Sequence, residues 1–165
     1  IAGVEGTIIC EDIFKTTLGE ESFDIVYSMG LIEHFKNPME IIDIHIKLLK
    51  KGGFLIITIP NFRNSLYFNI LTILHKEKKL LETHNLDAMD MNILTEIIKN
   101  KNINIVMLDF FGPIDFSLIF SQISHKMTML YLMHILNQFI GYSSYFIPKY
   151  RYISPHIILI AEKKG

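Results

Sequence analysis

The sequence predicts an α/β fold built on a parallel strand–helix–strand unit, and three observations carry that prediction. Phe23 to Met29 is an apolar run of β-branched and aromatic residues that stops at Gly30, as a strand covered on both faces would. Asn37-Pro38-Met39-Glu40 has the marks of a helix start, with Asn37 as N-cap, Pro38 at the first helical position and Glu40 at the capping-box position. Phe54 to Ile59 is a second apolar run, reached through Lys50-Lys51-Gly52-Gly53. Cations in a last helical turn and glycine just beyond it read as a helix end. Strand, helix and strand with short joints make a βαβ crossover, so the two strands should be parallel and the connection right-handed.

The remaining elements follow in order. Thr7 to Cys10 reads as a short strand ending at Glu11-Asp12-Ile13-Phe14, and Lys15 to Ser22 as a polar loop. In the helix over Pro38 to Lys50, Met39, Ile42, Ile46 and Leu49 share a face and should pack on the sheet. Tyr67 to Leu74 is apolar and reads as helix, and His75 to Lys79 as an exposed charged stretch. Met89 to Asn100 is an amphipathic helix carrying Ile93, Leu94, Ile97 and Ile98. Asn100 and Asn102 can supply the left-handed turn that glycine usually makes at a helix end. Ile103 to Phe111 is a strand stopped by Gly112-Pro113, and His156 to Ala161 is the last strand.

Composition bounds the function. At 165 residues, half of them hydrophobic, the chain is one domain or part of one. A formal net charge of −1 and a pI near 6.7 argue against a nucleic-acid partner. Cys10 is the single cysteine, so no disulfide framework exists within the chain and a reducing, cytoplasmic setting is expected.

Phe116 to Pro148 is the unusual segment, rich in Met, Ile, Leu, Phe and Tyr, and no residue from Met127 to Pro148 carries a full charge. The length would suffice for a span of about 20 residues. His134, Asn137, Gln138, Ser143 and Ser144 are costly in hydrocarbon, however, and Ser117, Ser121, Ser124 and Thr128 make a weak polar stripe. Three readings stand: an amphipathic cap over a substrate pocket, a cap that touches a membrane or a lipid-linked substrate, and an inserted segment over 127–148.

Phe23-Asp24-Ile25-Val26, Glu33-His34-Phe35, Asn37-Pro38, Leu48 to Gly53 and Ile56-Ile57-Thr58-Ile59-Pro60-Asn61, in that order and spacing, resemble the class I S-adenosylmethionine-dependent methyltransferases. Within them the chain looks most like the small-molecule branch of the ubiquinone/menaquinone-biosynthesis type. The resemblance is good from about Thr7 to Phe62 and thinner beyond. It implies a Rossmann-like methyltransferase sheet, mostly parallel, with an antiparallel C-terminal hairpin and a helical cap insertion. The family's glycine-rich loop and the acidic residue ending its second strand have no counterpart here. The expectation is therefore an N-terminally truncated chain whose first two strands are missing, inactive alone and poorly stable, with apolar edges left unpaired. The expected organisation is a cofactor-side core over 1–62, cap segments over 63–87 and 113–155, and a C-terminal helix and edge strands over 88–112 and 156–165.

In an open parallel sheet, ligands bind at the carboxyl ends of the strands. Three such ends are visible: Glu11-Asp12-Ile13, Ser28-Met29-Gly30 and Pro60-Asn61-Phe62. The resemblance implies S-adenosylmethionine as cofactor, with Asp12 accepting from the adenine amino group and Ile13 beside the ring. A carboxylate suits an amine because it is acceptor-only when ionised. Asp12 read alone could equally cap the turn that follows it. Ser28, Met29 and Gly30 would line the methionine end through backbone atoms, or form a plain strand-to-loop turn. Glu33, His34, Asn61, Phe62 and His84 are the substrate-pocket candidates. His34 can serve as general base, since an imidazole titrates near neutrality, or can simply line the pocket. Related enzymes hold a divalent metal with Glu-x-x-Glu-His, but Gly30 occupies the first glutamate position, so no metal site is assigned.

The function expected is methyl transfer to a small-molecule acceptor, hydrophobic or lipid-linked, by a cytoplasmic or membrane-peripheral protein. The alternatives are a non-catalytic partner domain of the same fold and a membrane-attached protein.

Overall fold

The computed structural model describes residues 3, 5–63, 84–112, 131–132, 134–136, 138–140 and 154–165. The expected helix over Tyr67 to Leu74, the charged stretch His75 to Lys79 and the serine stripe lie outside these residues.

The described secondary structure comprises β1 (Phe23–Met29), α1 (Pro38–Leu48), β2 (Leu49–Pro60), α2 (Met91–Lys99), β3 (Ile103–Phe111) and β4 (His156–Lys163), with 3₁₀ turns at Ile13–Lys15, Ile32–His34 and Leu86–Met89. The sheet order is β1-β2-β4-β3. β1 runs parallel to β2, as the crossover requires, while β4 is antiparallel to both β2 and β3. Residues 131, 132, 134–136 and 138–140 are helical as well.

Local chemistry explains most boundaries. The Asn37 side chain accepts from the Met39 N–H at 3.2 Å, and Pro38 opens α1. Glu40 completes the cap differently from the usual box: its carboxylate accepts from the Asn37 side-chain amide at 2.9 Å. Asp90 caps α2 by accepting from the N–H groups of Asn92 and Ile93. β3 spans the predicted residues, and Gly112 follows at φ +95°.

Several expectations are corrected. Thr7 to Cys10 forms no strand, and Ile8 is almost fully exposed. A strand needs a ladder partner, and among the described residues none pairs with it. α1 stops at Leu48, and β2 already begins at Leu49. The β1–β2 register then jumps from Phe23↔Leu49 to Ile25↔Phe54, so Lys50 to Gly53 form a bulge inside the strand. Gly52 takes φ +75° there. A Cβ on Gly53 would stand 2.9 Å from the Lys50 carbonyl oxygen and 3.0 Å from that of Asp24. Gly53→Ala is therefore expected to lose about 1–2 kcal/mol of stability in a denaturant titration, since backbone rather than a side chain must move. Neither Asn100 nor Asn102 is left-handed; Asn100 ends α2 at φ −98°, ψ 9°. Met39 is exposed, whereas Ile42, Ile46 and Leu49 are buried as expected and Ile41, His45 and Leu48 join them.

The core lies on one face of the sheet. Leu55, Ile57 and Ile59 of β2 and Ile157, Leu159 and Ala161 of β4 pack against Ile41, Ile42 and Ile46 of α1 and Leu94 and Ile98 of α2. The opposite face is open at the β1 edge, where Ile25, Tyr27 and Met29 are 56%, 67% and 73% exposed. β1 is thus not covered on both faces. Among the described residues it is an edge strand with an exposed apolar face.

Candidate functional site

The carboxyl ends of β1 and β2 lie side by side. Gly30 leaves β1 at φ +60°, and its N–H donates to the Thr58 carbonyl at 2.8 Å, so the ladder persists one residue past the strand. A left-handed φ favours glycine here. The chain then enters the turn Ile32–His34, pinned by the fully buried Ile32.

Glu33 in that turn is 1% exposed, and its Oε2 has no hydrogen-bond partner among the described residues. Oε1 would lie 3.4 Å from a Cβ on Gly30, so the carboxylate sits beside the glycine turn. Burial pushes the Glu33 carboxyl above the ordinary glutamate range, opposed by its own backbone amide and by His34 and His84. The His34 side of the turn faces outward.

His34 and His84 come together with ring centroids 4.6 Å apart, and Phe62 meets His84 edge-on at 5.5 Å. This brings β2's end, the turn after β1 and the segment before α2 into one cluster of rings. Two residues that sequence reasoning missed hold it together. Asn85 donates its backbone N–H to the Glu33 carbonyl at 2.6 Å and its side-chain amide to the carbonyls of Phe35 and Lys36, both at 3.1 Å. Arg63 pairs with Asp87 at 2.9 Å and with Asp90 at 3.5 Å. The only sequence signal for either was Asn85 one residue before an apolar turn, the position of an Asx cap.

The other candidates are dispersed. Asp12 caps the turn Ile13–Lys15, its Oδ1 accepting from the Phe14 N–H at 3.0 Å. Ile13 is half-buried against the core, and Phe14 meets Phe35 edge-on at 5.6 Å, which links this turn to the one after β1. Ser28 is 8% exposed on the helix-covered face, and Met29 lies on the open face. Asn61 is fully buried, and its backbone and side-chain amides donate to the carbonyls of Pro155 and Ser154. It anchors the start of β4 to the end of β2. Among the described residues no group of three or more His, Cys, Asp or Glu side chains could hold a metal ion. A shallow groove of about 440 Å³ between α1 and α2 is lined by Met39, Asn92, Ile93, Glu96 and Ile97, none of them a predicted site residue.

Residues 2–57, which hold β1, α1 and most of β2, match the family described as methyltransferase domain. Three solved structures share the fold. One is an S-adenosylmethionine-dependent methyltransferase from Archaeoglobus fulgidus, with TM-score 0.55 and 19% identity over 94% of this chain and 66% of that one. Another is the [4+2]-cyclase SpnF, with TM-score 0.55 and 15% identity over 94% and 56%. A third is an S-adenosylmethionine-dependent methyltransferase from Mesorhizobium loti, with TM-score 0.52 and 11% identity over 93% and 68%. The chain spans from just over half to about two thirds of the length of these three structures. No curated protein matches it by sequence. The fold is therefore that of the Rossmann-like methyltransferases. A cyclase among its neighbours is a reminder that a fold hosts more than one reaction.

Proposed function

We propose that the protein takes part in methyl transfer from S-adenosylmethionine to a small-molecule acceptor. The observation that carries this reading is the glycine turn at the end of β1, beside the end of β2, inside the stretch that matches the methyltransferase domain family. The cofactor supplies a methyl group on a sulfonium, already reactive toward an aligned nucleophile.

The donor set suits that group. Asp12 is exposed and offers a carboxylate of which one oxygen is engaged by its own turn, and the half-buried Ile13 gives an apolar wall beside it. Capping and adenine binding are therefore compatible roles. Gly30 lets the backbone approach a ligand closely, with Met29 on the exposed side, while the Ser28 side chain is turned to the core and would contribute only backbone atoms. On the acceptor side, His34, His84 and Phe62 supply a wall of rings, with Glu33 buried behind them. His34 would take a proton from an acceptor hydroxyl as it is methylated. Alignment accounts for most of the rate in such transfers, so His34→Ala should lower kcat by about tenfold to a hundredfold, not abolish it. Asn61 supports the pocket by tying down β4. A hydrophobic or lipid-linked acceptor is the class that the apolar 113–155 region favours, and the 1–62, 63–87 and 88–112 division follows from this assignment.

Calorimetric titration of S-adenosylhomocysteine tests the reading, using these 165 residues and any longer form the gene encodes. Binding by either form supports it; binding by neither turns the assignment to a non-catalytic partner domain. Two variants separate the roles of Asp12. Asp12→Ala should lose about 1 kcal/mol of stability with the cap and also weaken binding, whereas Asp12→Ser keeps a cap and should weaken binding alone.

A further inference from the structure

Two carboxylates stand next to each other at the start of the turn Ile13–Lys15, and their hydrogen bonds give them different work. Asp12 spends one oxygen, Oδ1, on the Phe14 N–H. Glu11 is engaged through both of its oxygens. Oε1 accepts from the Thr16 hydroxyl and from the Thr17 N–H at 3.1 Å. Oε2 accepts from the Thr17 hydroxyl at 3.0 Å and from the same N–H at 3.2 Å. These contacts close residues 11–17 into a ring around the turn, inside which the Lys15 N–H donates to the Asp12 carbonyl at 2.9 Å. Donation from the Thr16 hydroxyl, helped by Thr17, holds the Glu11 carboxyl below the ordinary glutamate range, so the group is acceptor-only at neutral pH.

The ring matters because little else sets the approach to Asp12. Thr7 to Cys10 join no strand, and Ile8 and Ile9 are 98% and 50% exposed. Beyond Asp12 the turn is anchored, since Ile13 packs against the core and Phe14 meets Phe35 edge-on. On the near side, among the described residues, the Glu11 carboxylate is the tie. A turn held on both sides keeps its side chain oriented before a ligand arrives, which avoids an ordering cost at binding.

We propose that Glu11 is a positioning residue: through Thr16 and Thr17 it fixes the turn on which Asp12 presents its carboxylate to an adenine amino group. The proposal rests on the methyl-transfer reading for its ligand and deepens it by naming what pre-forms the adenine side. Glu11 acts only through Asp12, since both of its oxygens are engaged within the ring.

The experiment is calorimetric titration of S-adenosylhomocysteine and of its inosine counterpart, in which an oxygen replaces the adenine amino group. The protein is these 165 residues and any longer form the gene encodes. Amide hydrogen exchange at Thr17 is followed in the ligand-free chain. The parent should prefer S-adenosylhomocysteine. Glu11→Ala should speed exchange at Thr17 and weaken S-adenosylhomocysteine about threefold to tenfold. It should weaken the inosine compound less, so that the preference narrows. Glu11→Gln keeps an acceptor for the Thr16 hydroxyl and the Thr17 N–H and should restore most of the affinity. Unchanged exchange at Thr17 in the alanine variant overturns the proposal without reference to any ligand. Unchanged affinity for S-adenosylhomocysteine, or equal weakening of both compounds, overturns it while the methyl-transfer reading stands. So does a parent that binds both compounds alike. A parent that binds no S-adenosylhomocysteine in any form overturns that reading, and the proposal with it.

Discussion

Replacing Ile57 by alanine is expected to cost about 3 kcal/mol of unfolding free energy, measured by urea titration. Ile57 is 1% exposed in the middle of β2, with Ser28 of β1 on one side and Leu159 of β4 on the other. Its side chain belongs to the cluster that joins both helices to the sheet. Strands hydrogen-bonded on both flanks cannot close over the space a lost side chain leaves, so the loss includes a cavity term as well as transfer. Small domains hold about 5–15 kcal/mol in all, and this is a large fraction of that. Phe54→Ala on the same strand is the control. Phe54 lies on the open face and is 40% exposed, so its loss should be about 1 kcal/mol. Similar losses at the two positions would mean that the core does not lie on the helix-covered face.

The second large effect concerns Glu33 and pH. Its carboxyl titrates above 4.5 in the folded chain because burial disfavours the ion. The folded state thus binds the proton more tightly than the unfolded state. The associated stability is complete below 4.5 and is lost as pH rises through the folded value. His45 acts in the opposite sense. It is 3% exposed, its Nδ1 lies 2.7 Å from the Ile41 carbonyl oxygen, and burial pushes its titration below 6.5. Its contribution is present above 6.5 and is lost as pH falls. Glu33→Gln removes the first dependence and leaves the second. The variant should match the parent in acid and exceed it by about 1–3 kcal/mol at neutral pH, because the desolvation of a buried carboxylate whose Oε2 accepts no hydrogen bond is removed. Parallel stability curves for parent and variant across that range would show that Glu33 is solvated in the folded chain. A carboxylate held at such a cost beside the glycine turn is also the kind of group that functional sites retain.

Much of the fold was legible because it is written in local chemistry. The Asn37 and Pro38 helix start, the limits of β3 and the parallel pairing of β1 with β2 depend on caps, turn residues and the crossover rule, all of which act over a few residues. The errors share a different cause. Thr7 to Cys10 has strand character, but a strand exists only with a ladder partner, and composition does not report partners. The Lys50 to Gly53 stretch reads as a helix end, yet two glycines followed by an apolar run serve a bulge equally well. The choice fell to the register that aligns Ile25 with Phe54.

The candidate site divides in the same way. Gly30 could be read from the sequence, because a strand that halts at glycine calls for an unusual backbone angle. Glu33 and His34 could be named but not distinguished. Only folding made the first a buried carboxyl and the second an exposed imidazole, although they are adjacent in the chain. The meeting of His34 with His84, and the clamp from Asn85 to the turn after β1, join residues about fifty positions apart. The sequence by itself determined the order of the main elements and the parallel pairing of β1 with β2, since those follow from backbone preferences, apolar periodicity and the crossover rule. The tertiary structure alone decided which face of the sheet is bare, which carboxylate is desolvated and which rings touch. Burial and contact are properties of the packed chain, set by side chains that sequence separation keeps apart until the sheet forms.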